Sequence, residues 1–255
     1  MDAVTLLDSH LHLDFFPQPE AELRAATAAG VGGFVVPGVW RQGWPRLLQL
    51  AQQFTVVRAA LGLHPQAAGQ WSPETERELA AWLQRPEVVA VGEIGLDGSP
   101  GYPPAELQER AFRGQLRLAL AAGRPVLLHC RRATERVLTI LREEGGQRSG
   151  GIWHAFSGSP QTAARVIDLG FALGFGGPLT WPNARRGPEV LTRLPDEWIV
   201  LESDAPDLPP HPHQREENRP AWLPLIAARV ADLRGWSLEQ TARITTTNAR
   251  RVLKL

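Results

Sequence analysis

The sequence predicts an α/β protein folded as a single (β/α)8 barrel over residues 1–255, with additional helices near its C-terminal end. Three observations predict this class. Eight short apolar segments of strand character recur along the chain, segments of helical spacing lie between them, and about 250 residues is the usual size of one such barrel. No linker or low-complexity stretch suggests a second domain.

The eight apolar segments are rich in Val, Ile, Leu and Phe and are nearly continuous rather than alternating with polar residues. This pattern is typical of parallel strands that are covered on both faces. The predicted strands are residues 4–7, 33–36, 57–63, 88–91, 125–128, 151–153, 171–175 and 198–201.

Helical periodicity fills most of the intervals, and residues with capping chemistry mark the expected ends. Ser72 precedes Pro73 at one predicted helix start, while Gly30, Gly123 and Gly170 stand where helices should stop. The predicted helices are residues 20–29, 44–53, 73–83, 104–122, 134–143 and 160–169, followed by terminal helices at 221–233 and 238–253. Residues 207–220 form a Pro-rich loop without periodicity.

The composition excludes several classes of protein. Apolar residues make up 43% and charged residues 21%, which is ordinary for a globular enzyme, and no apolar run is long enough to span a bilayer. A formal net charge of zero gives no overall cationic field, so any contact with nucleic acid must be local. With no secretory signal pattern and one cysteine, Cys130, we expect a cytoplasmic protein with no membrane partner.

Ionisable residues stand at the ends of the predicted strands rather than in their middles. In a barrel, the carboxyl ends of the strands form the catalytic face. Each histidine taken alone could be a core residue or a surface residue, but together the set is typical of metal ligands such as those of zinc or manganese. The candidate ligands are His10, His12, Glu93, His129, His154 and Asp204.

Six ligands are too many for one catalytic ion with an open position, so we expect two divalent ions, such as Zn²⁺, Mn²⁺ or Mg²⁺. Lys254 is the only lysine in the sequence and lies beyond the last strand, which leaves Glu93 as the bridging carboxylate. Asp204 is the expected proton acceptor, and Arg131, in the loop after the fifth strand, either neutralises phosphate or forms a surface ion pair. Cys130 should point away from its neighbour His129, toward a helix.

Six segments in this order resemble the TatD family of metal-dependent deoxyribonucleases over nearly the whole chain. The segments are DSHLHLD at 8–14, GLHP at 62–65, GEIGLD at 92–97, PVLLHCR at 125–131, HAFSG at 154–158 and LESDAP at 201–206.

The resemblance implies a barrel of the amidohydrolase superfamily that hydrolyses DNA, often from 3′ ends. It assigns one ion to His10, His12, Glu93 and Asp204 and the other to Glu93, His129 and His154. It also places His64 against the scissile phosphate or the nucleophile. The loops at 98–104 and 207–220 depart from the family pattern, and such loops shape substrate entry.

The sequence is compatible with two other functions. The same metal centre could hydrolyse a lactone or an aminoacyl ester of transfer RNA, and the barrel could scaffold a partner without catalysis. Asp8 and Asp97 are either partners that orient the imidazoles or turn residues, and His211 and His213 are expected to be exposed. A monomer is the expected oligomeric state.

Overall fold

A computed structural model describes residues 5–255 of the chain. Its eight strands belong to one sheet in the order β1 to β8, and every strand pairing whose register is described is parallel. The strands are β1 Leu6–Asp8, β2 Val31–Pro37, β3 Val57–Leu61, β4 Val88–Asp97, β5 Val126–Arg131, β6 Gly151–Trp153, β7 Phe171–Phe175 and β8 Ile199–Leu201. Part of the first predicted strand, Val4, lies outside the described residues.

A helix follows each strand, as in a (β/α)8 barrel, which confirms the predicted fold class. The helices are α1 Pro19–Ala28, α2 Trp44–Gln53, α3 Pro73–Trp82, α4 Ala105–Ala122, α5 Thr134–Glu144, α6 Pro160–Ile167, α7 Arg186–Arg193, α8 Leu223–Arg234 and α9 Leu238–Leu253. Helix α9 is the expected addition to the eightfold repeat. None of the helices in residues 5–255 has the length and apolar content needed to cross a bilayer.

Two compact units make up this structure. The first contains the described residues up to Val36 together with Ala155–Ala164 and Ala172–Arg251. The second contains Pro37–His154, Arg165–Phe171 and Val252–Leu255.

The predicted elements agree closely with the observed ones where capping chemistry is strong. The Ser72 side chain accepts a hydrogen bond from the Thr75 amide at the start of α3, and Gly123 ends α4 in the left-handed conformation. Helix α7 was not predicted. It has only eight residues and contains Gly187 and Pro188, so its helical period is short and interrupted.

Two strands extend beyond their apolar runs. Every residue of β4 is buried over ten positions, so the strand continues through Gly92, Glu93 and Gly95. Strand β5 reaches Arg131, which corrects the prediction that Arg131 lies in the loop after it. Periodicity missed these extensions because the polar residues at the strand ends serve the site rather than the core.

Helices α4 and α5 are joined by a network of ion pairs in the second unit. Glu144 accepts hydrogen bonds from Arg113 at 2.6 Å and from Arg117 at 2.7 and 2.9 Å. Hydrogen bonding from these two arginines holds the pKa of Glu144 below its usual range. The network fixes the outer end of α4, the helix whose inner face supports the site described next.

Candidate metal sites

In the first unit, two histidines that follow β1 meet a carboxylate that follows β8. The Nε2 atoms of His10 and His12 lie 3.8 and 3.9 Å from Oδ1 of Asp204. Ligand atoms of all three residues lie within 4.8 Å of one another, and all three side chains are buried. We call this set the Asp204 group. Two imidazoles and one carboxylate are a donor set that fits a divalent transition metal.

The backbone of the Asp204 group is held by hydrogen bonds rather than by strand geometry. Strand β1 ends at Asp8 and β8 ends at Leu201, so alternation along an extended chain does not orient these side chains. Asp204 instead has a left-handed φ of 57°, and its amide donates to the His10 carbonyl at 2.9 Å. A non-glycine residue in this conformation carries backbone strain that the surrounding contacts must offset.

Asp8 acts on the backbone of this group. Its Oδ1 accepts hydrogen bonds from the amides of His10 and Ser203 at 3.3 and 2.9 Å, so one carboxylate joins the two segments that supply the ligands. Burial raises the pKa of Asp8 to about 7, even though the hydrogen bonds from Ser203 oppose that shift. Of the two roles left open for Asp8, the structure supports the backbone one.

Asn218 holds the loop that follows Asp204. Its buried side chain donates to the carbonyls of Ser203 and Asp207, both at 2.6 Å, and accepts from the Arg219 amide at 2.8 Å. Asn218 lies in the segment that the sequence predicts to be a Pro-rich loop without periodicity. The sequence feature that could have indicated its role is an asparagine, a residue common in turns, in a segment that leaves a strand and reverses direction.

In the second unit, His64, Glu93 and His129 form another set, which we call the Glu93 group. Glu93 Oε1 lies 2.7 Å from His129 Nδ1 and 3.9 Å from His64 Nε2. The His64 Nε2 and His129 Nδ1 atoms are 3.2 Å apart. Their ligand atoms all lie within 4.8 Å of one another. His154, directly after β6, is buried with its ring centre 6.4 Å from that of His129.

Asp97, at the end of β4, orients the His129 ring. Its Oδ2 accepts from Nε2 of His129 at 3.0 Å, which leaves Nδ1 directed at Glu93. Burial alone would lower the pKa of His129, but its hydrogen bonds to Asp97 and Glu93 outweigh that effect and raise it. A carboxylate behind an imidazole is the usual arrangement at a metal-ligating histidine, and the other Asp97 oxygen, Oδ1, accepts from the Ser99 amide at 2.8 Å, so both roles left open for Asp97 are observed.

His64 differs from the other histidines in its protonation. Burial lowers the pKa of its imidazole to about 4, so the ring is neutral at pH 7. Its Nδ1 accepts from the Gln66 amide at 3.3 Å, which assigns the ring proton to Nε2. His64 therefore presents an N–H donor beside Glu93 and His129.

Two buried glutamines of α4 have roles that the sequence does not predict. Gln115 pairs with the backbone of Leu63, accepting from its N–H at 2.6 Å and donating to its carbonyl at 3.1 Å. Gln108 pairs in the same manner with Asp97, at 2.8 and 3.0 Å. The sequence feature that could have indicated them is a pair of glutamines seven positions apart on the apolar face of a predicted helix.

The other candidate residues lie as follows. Arg131 is exposed, and none of the ion pairs within residues 5–255 involves it, so its guanidinium is available to a ligand. Cys130 faces α5, where its Sγ lies 3.8 Å from Thr134 Oγ1, and burial raises the pKa of its thiol to about 11. His211 is exposed, and His213 is half-buried against Trp222.

Comparison with known proteins identifies the family of the chain. Residues 7–254 match the family model of TatD related DNase. The chain is 36% identical to the uncharacterized metal-dependent hydrolase YabD of Bacillus subtilis, over 98% of this chain and 99% of that protein. It is 37% identical to the 3′-5′ ssDNA/RNA exonuclease TatD of Salmonella typhimurium, over 90% of each chain.

Solved structures give the same result. The crystal structure of YjjV, a TatD homologue from Escherichia coli, superposes with a TM-score of 0.93 at 36% identity over the full length of both chains. A TatD family hydrolase from Entamoeba histolytica, at 17% identity and a TM-score of 0.86 over 97% of each chain, shares the fold.

Proposed function

This chain belongs to the family of TatD-related DNases and is a metal-dependent hydrolase, and we propose that it removes nucleotides from the 3′ ends of single-stranded DNA. The main support for this proposal is that each compact unit holds a group of histidines and a carboxylate at or just after the ends of its strands. The relative from Salmonella typhimurium that is named as a 3′-5′ exonuclease supports the polarity.

We assign the ligands as the sequence predicts. His10, His12, Asp204 and Glu93 hold one divalent ion, and Glu93, His129 and His154 hold the other. The Asp204 group supplies three of these ligands, and the Glu93 group supplies Glu93 and His129. When bound, such ions supply Lewis acidity toward a phosphoryl oxygen and lower the pKa of water.

The chain's own residues have separate tasks in this proposal. Asp204 accepts the proton of the attacking water at a carboxylate oxygen, because it is the ligand carboxylate whose backbone is fixed on both sides. His64 donates from Nε2 to a phosphate oxygen, as its tautomer and neutral state allow. Arg131 binds phosphate with its planar guanidinium, since no carboxylate of the described chain engages it.

Metal content tests the ligand assignment independently of activity. We expect about two ions per chain in the wild type, one in His12→Ala and none in Glu93→Ala, because Glu93 serves both ions. His211→Ala is the matched control and should retain both. Two ions in Glu93→Ala would contradict the bridging role.

A time course on 5′- and 3′-labelled oligonucleotides tests the reaction. The expected result is stepwise shortening from the 3′ end by metal-loaded enzyme and none in EDTA. A panel of lactones and aminoacyl esters runs beside it. Cleavage of an ester with DNA left intact would replace this proposal by ester hydrolysis, and an intact substrate in every assay would favour a binding scaffold.

A further inference from the structure

A cavity lined by apolar and polar side chains lies in the first unit, in the two loops that follow β7 and β8. Its volume is about 390 Å³, within the size range of small-molecule sites. The side chains lining it are Trp181, Asn183, Pro212, Gln214, Arg215 and Glu216. Both loops leave the carboxyl ends of parallel strands, and the β8 loop also carries Asp204, so the cavity opens on the catalytic face.

Hydrogen bonds between the two loops hold the cavity wall in place. The indole N–H of Trp181 donates to the Pro209 carbonyl at 2.9 Å, and the His211 amide donates to Thr180 Oγ1 at 2.7 Å. Because its N–H is engaged, Trp181 presents the ring itself to the cavity. A fixed aromatic wall loses little conformational entropy when a planar group stacks on it.

The cavity lining carries one cation, Arg215, and one anion, Glu216. Arg215 is exposed, and no ion pair within residues 5–255 includes it. Glu216, the acidic residue of the lining, is 2.8 Å from His213 Nδ1 and so is directed at that imidazole. Asn183 adds an exposed amide that can both donate and accept hydrogen bonds, whereas the amide of Gln214 is held against His211, with Nε2 3.1 Å from the His211 Nδ1.

An aromatic ring, an exposed amide and a guanidinium without an ion pair match the base face, the base edge and the phosphate of a nucleotide. Bases stack on aromatic rings, amides pair with base edges, and arginine binds phosphate. We propose that this cavity, the Trp181 subsite, binds one nucleotide of the single strand whose 3′ end is being cleaved. The substrate class rests on the proposed function, whereas the subsite itself is a separate claim about binding.

Binding of a 5′-labelled single-stranded hexanucleotide, measured by fluorescence anisotropy in EDTA, tests the subsite without catalysis. Trp181→Leu should weaken binding about tenfold, because the stacking surface is removed, whereas Trp181→Phe should stay within about threefold of the wild type. The matched control is Trp82→Leu, which removes a half-buried tryptophan of α3 with its own indole hydrogen bond. Equal loss in the control, or no loss in Trp181→Leu, overturns the proposal.

A second variant keeps the test decisive if Trp181→Leu fails to fold. Arg215→Gln should lower the affinity about threefold and reduce the salt slope of binding by about 0.7, as for one lost phosphate contact. Arg46→Gln, an exposed arginine of α2, is the control and should leave both quantities unchanged. An unchanged salt slope in Arg215→Gln counts against the subsite.

The two claims fail in different ways. If Trp181→Leu weakens binding of the hexanucleotide in EDTA but the wild type does not cleave it with Mn²⁺ present, the nuclease proposal fails and the subsite stands. If the wild type cleaves it and the variants bind as the wild type does, the subsite fails and the nuclease proposal stands.

Discussion

Replacing Gln115 by methionine is expected to destabilise the metal-free protein by about 2–4 kcal/mol. Gln115 is fully buried, and its amide satisfies both the N–H and the carbonyl of Leu63, which is itself 1% exposed. Methionine has nearly the same length, so the change removes both hydrogen bonds to Leu63, and a third to the Ala111 carbonyl, while leaving little cavity. Each backbone group left unpaired away from water costs about 1–3 kcal/mol.

Urea unfolding followed by circular dichroism in EDTA measures this difference at constant m value. The control, Gln53→Met, makes the same chemical change at an exposed position of α2 and should shift stability by less than about 0.5 kcal/mol. Hydrogen exchange adds a local readout, because the Leu63 amide should exchange faster in Gln115→Met. A free energy of unfolding equal to that of the wild type would refute the view that α4 holds the His64 loop through this amide.

Three further outcomes are expected. EDTA should lower the midpoint of thermal unfolding, and added Mn²⁺ or Zn²⁺ should restore it, because ligands that bind only the folded state stabilise it; differential scanning fluorimetry measures this. Asp97→Asn should weaken metal binding about 10–100-fold by loosening the His129 ring, whereas Asp168→Asn, the same change at an exposed position, should match the wild type in a chelator competition. Glu144→Gln should lower the free energy of unfolding by less than about 1 kcal/mol at pH 7, since solvent screens its arginine partners. Because folding lowers the pKa of Glu144, this difference is present above the unfolded-state pKa of about 4.3 and is lost as the pH falls through the folded-state pKa. Urea titrations at pH 7 and pH 3 measure the difference.

The parts of the fold that could be predicted from the sequence are those with a strong local signal. Apolar runs identified the strands, and Ser72 and Gly123 marked helix ends through capping that needs no tertiary contact. Helix α7 was not predictable because eight residues that include a proline show little helical periodicity. The full length of β4 was not predictable for another reason, since Glu93 is a polar residue that belongs to the site rather than to the core.

For the candidate site, residue type and position after a strand were enough to select the histidines and carboxylates. The residues that position them were not predictable in the same way. Gln108, Gln115 and Asn218 act through side chains that pair with distant backbone, up to 52 positions away for Gln115. Such pairings leave no periodic trace, and only the three-dimensional structure shows which backbone group each amide meets.

The chain separation within the two groups has a consequence for how the protein is made. Asp204 follows His10 by 194 positions, so the Asp204 group cannot form on the ribosome until that whole stretch has been synthesised. The Glu93 group spans only residues 64–129 and can close much earlier. Because distant contacts delay folding, a nascent chain that captures metal at the Glu93 group would do so long before the Asp204 group can take up any.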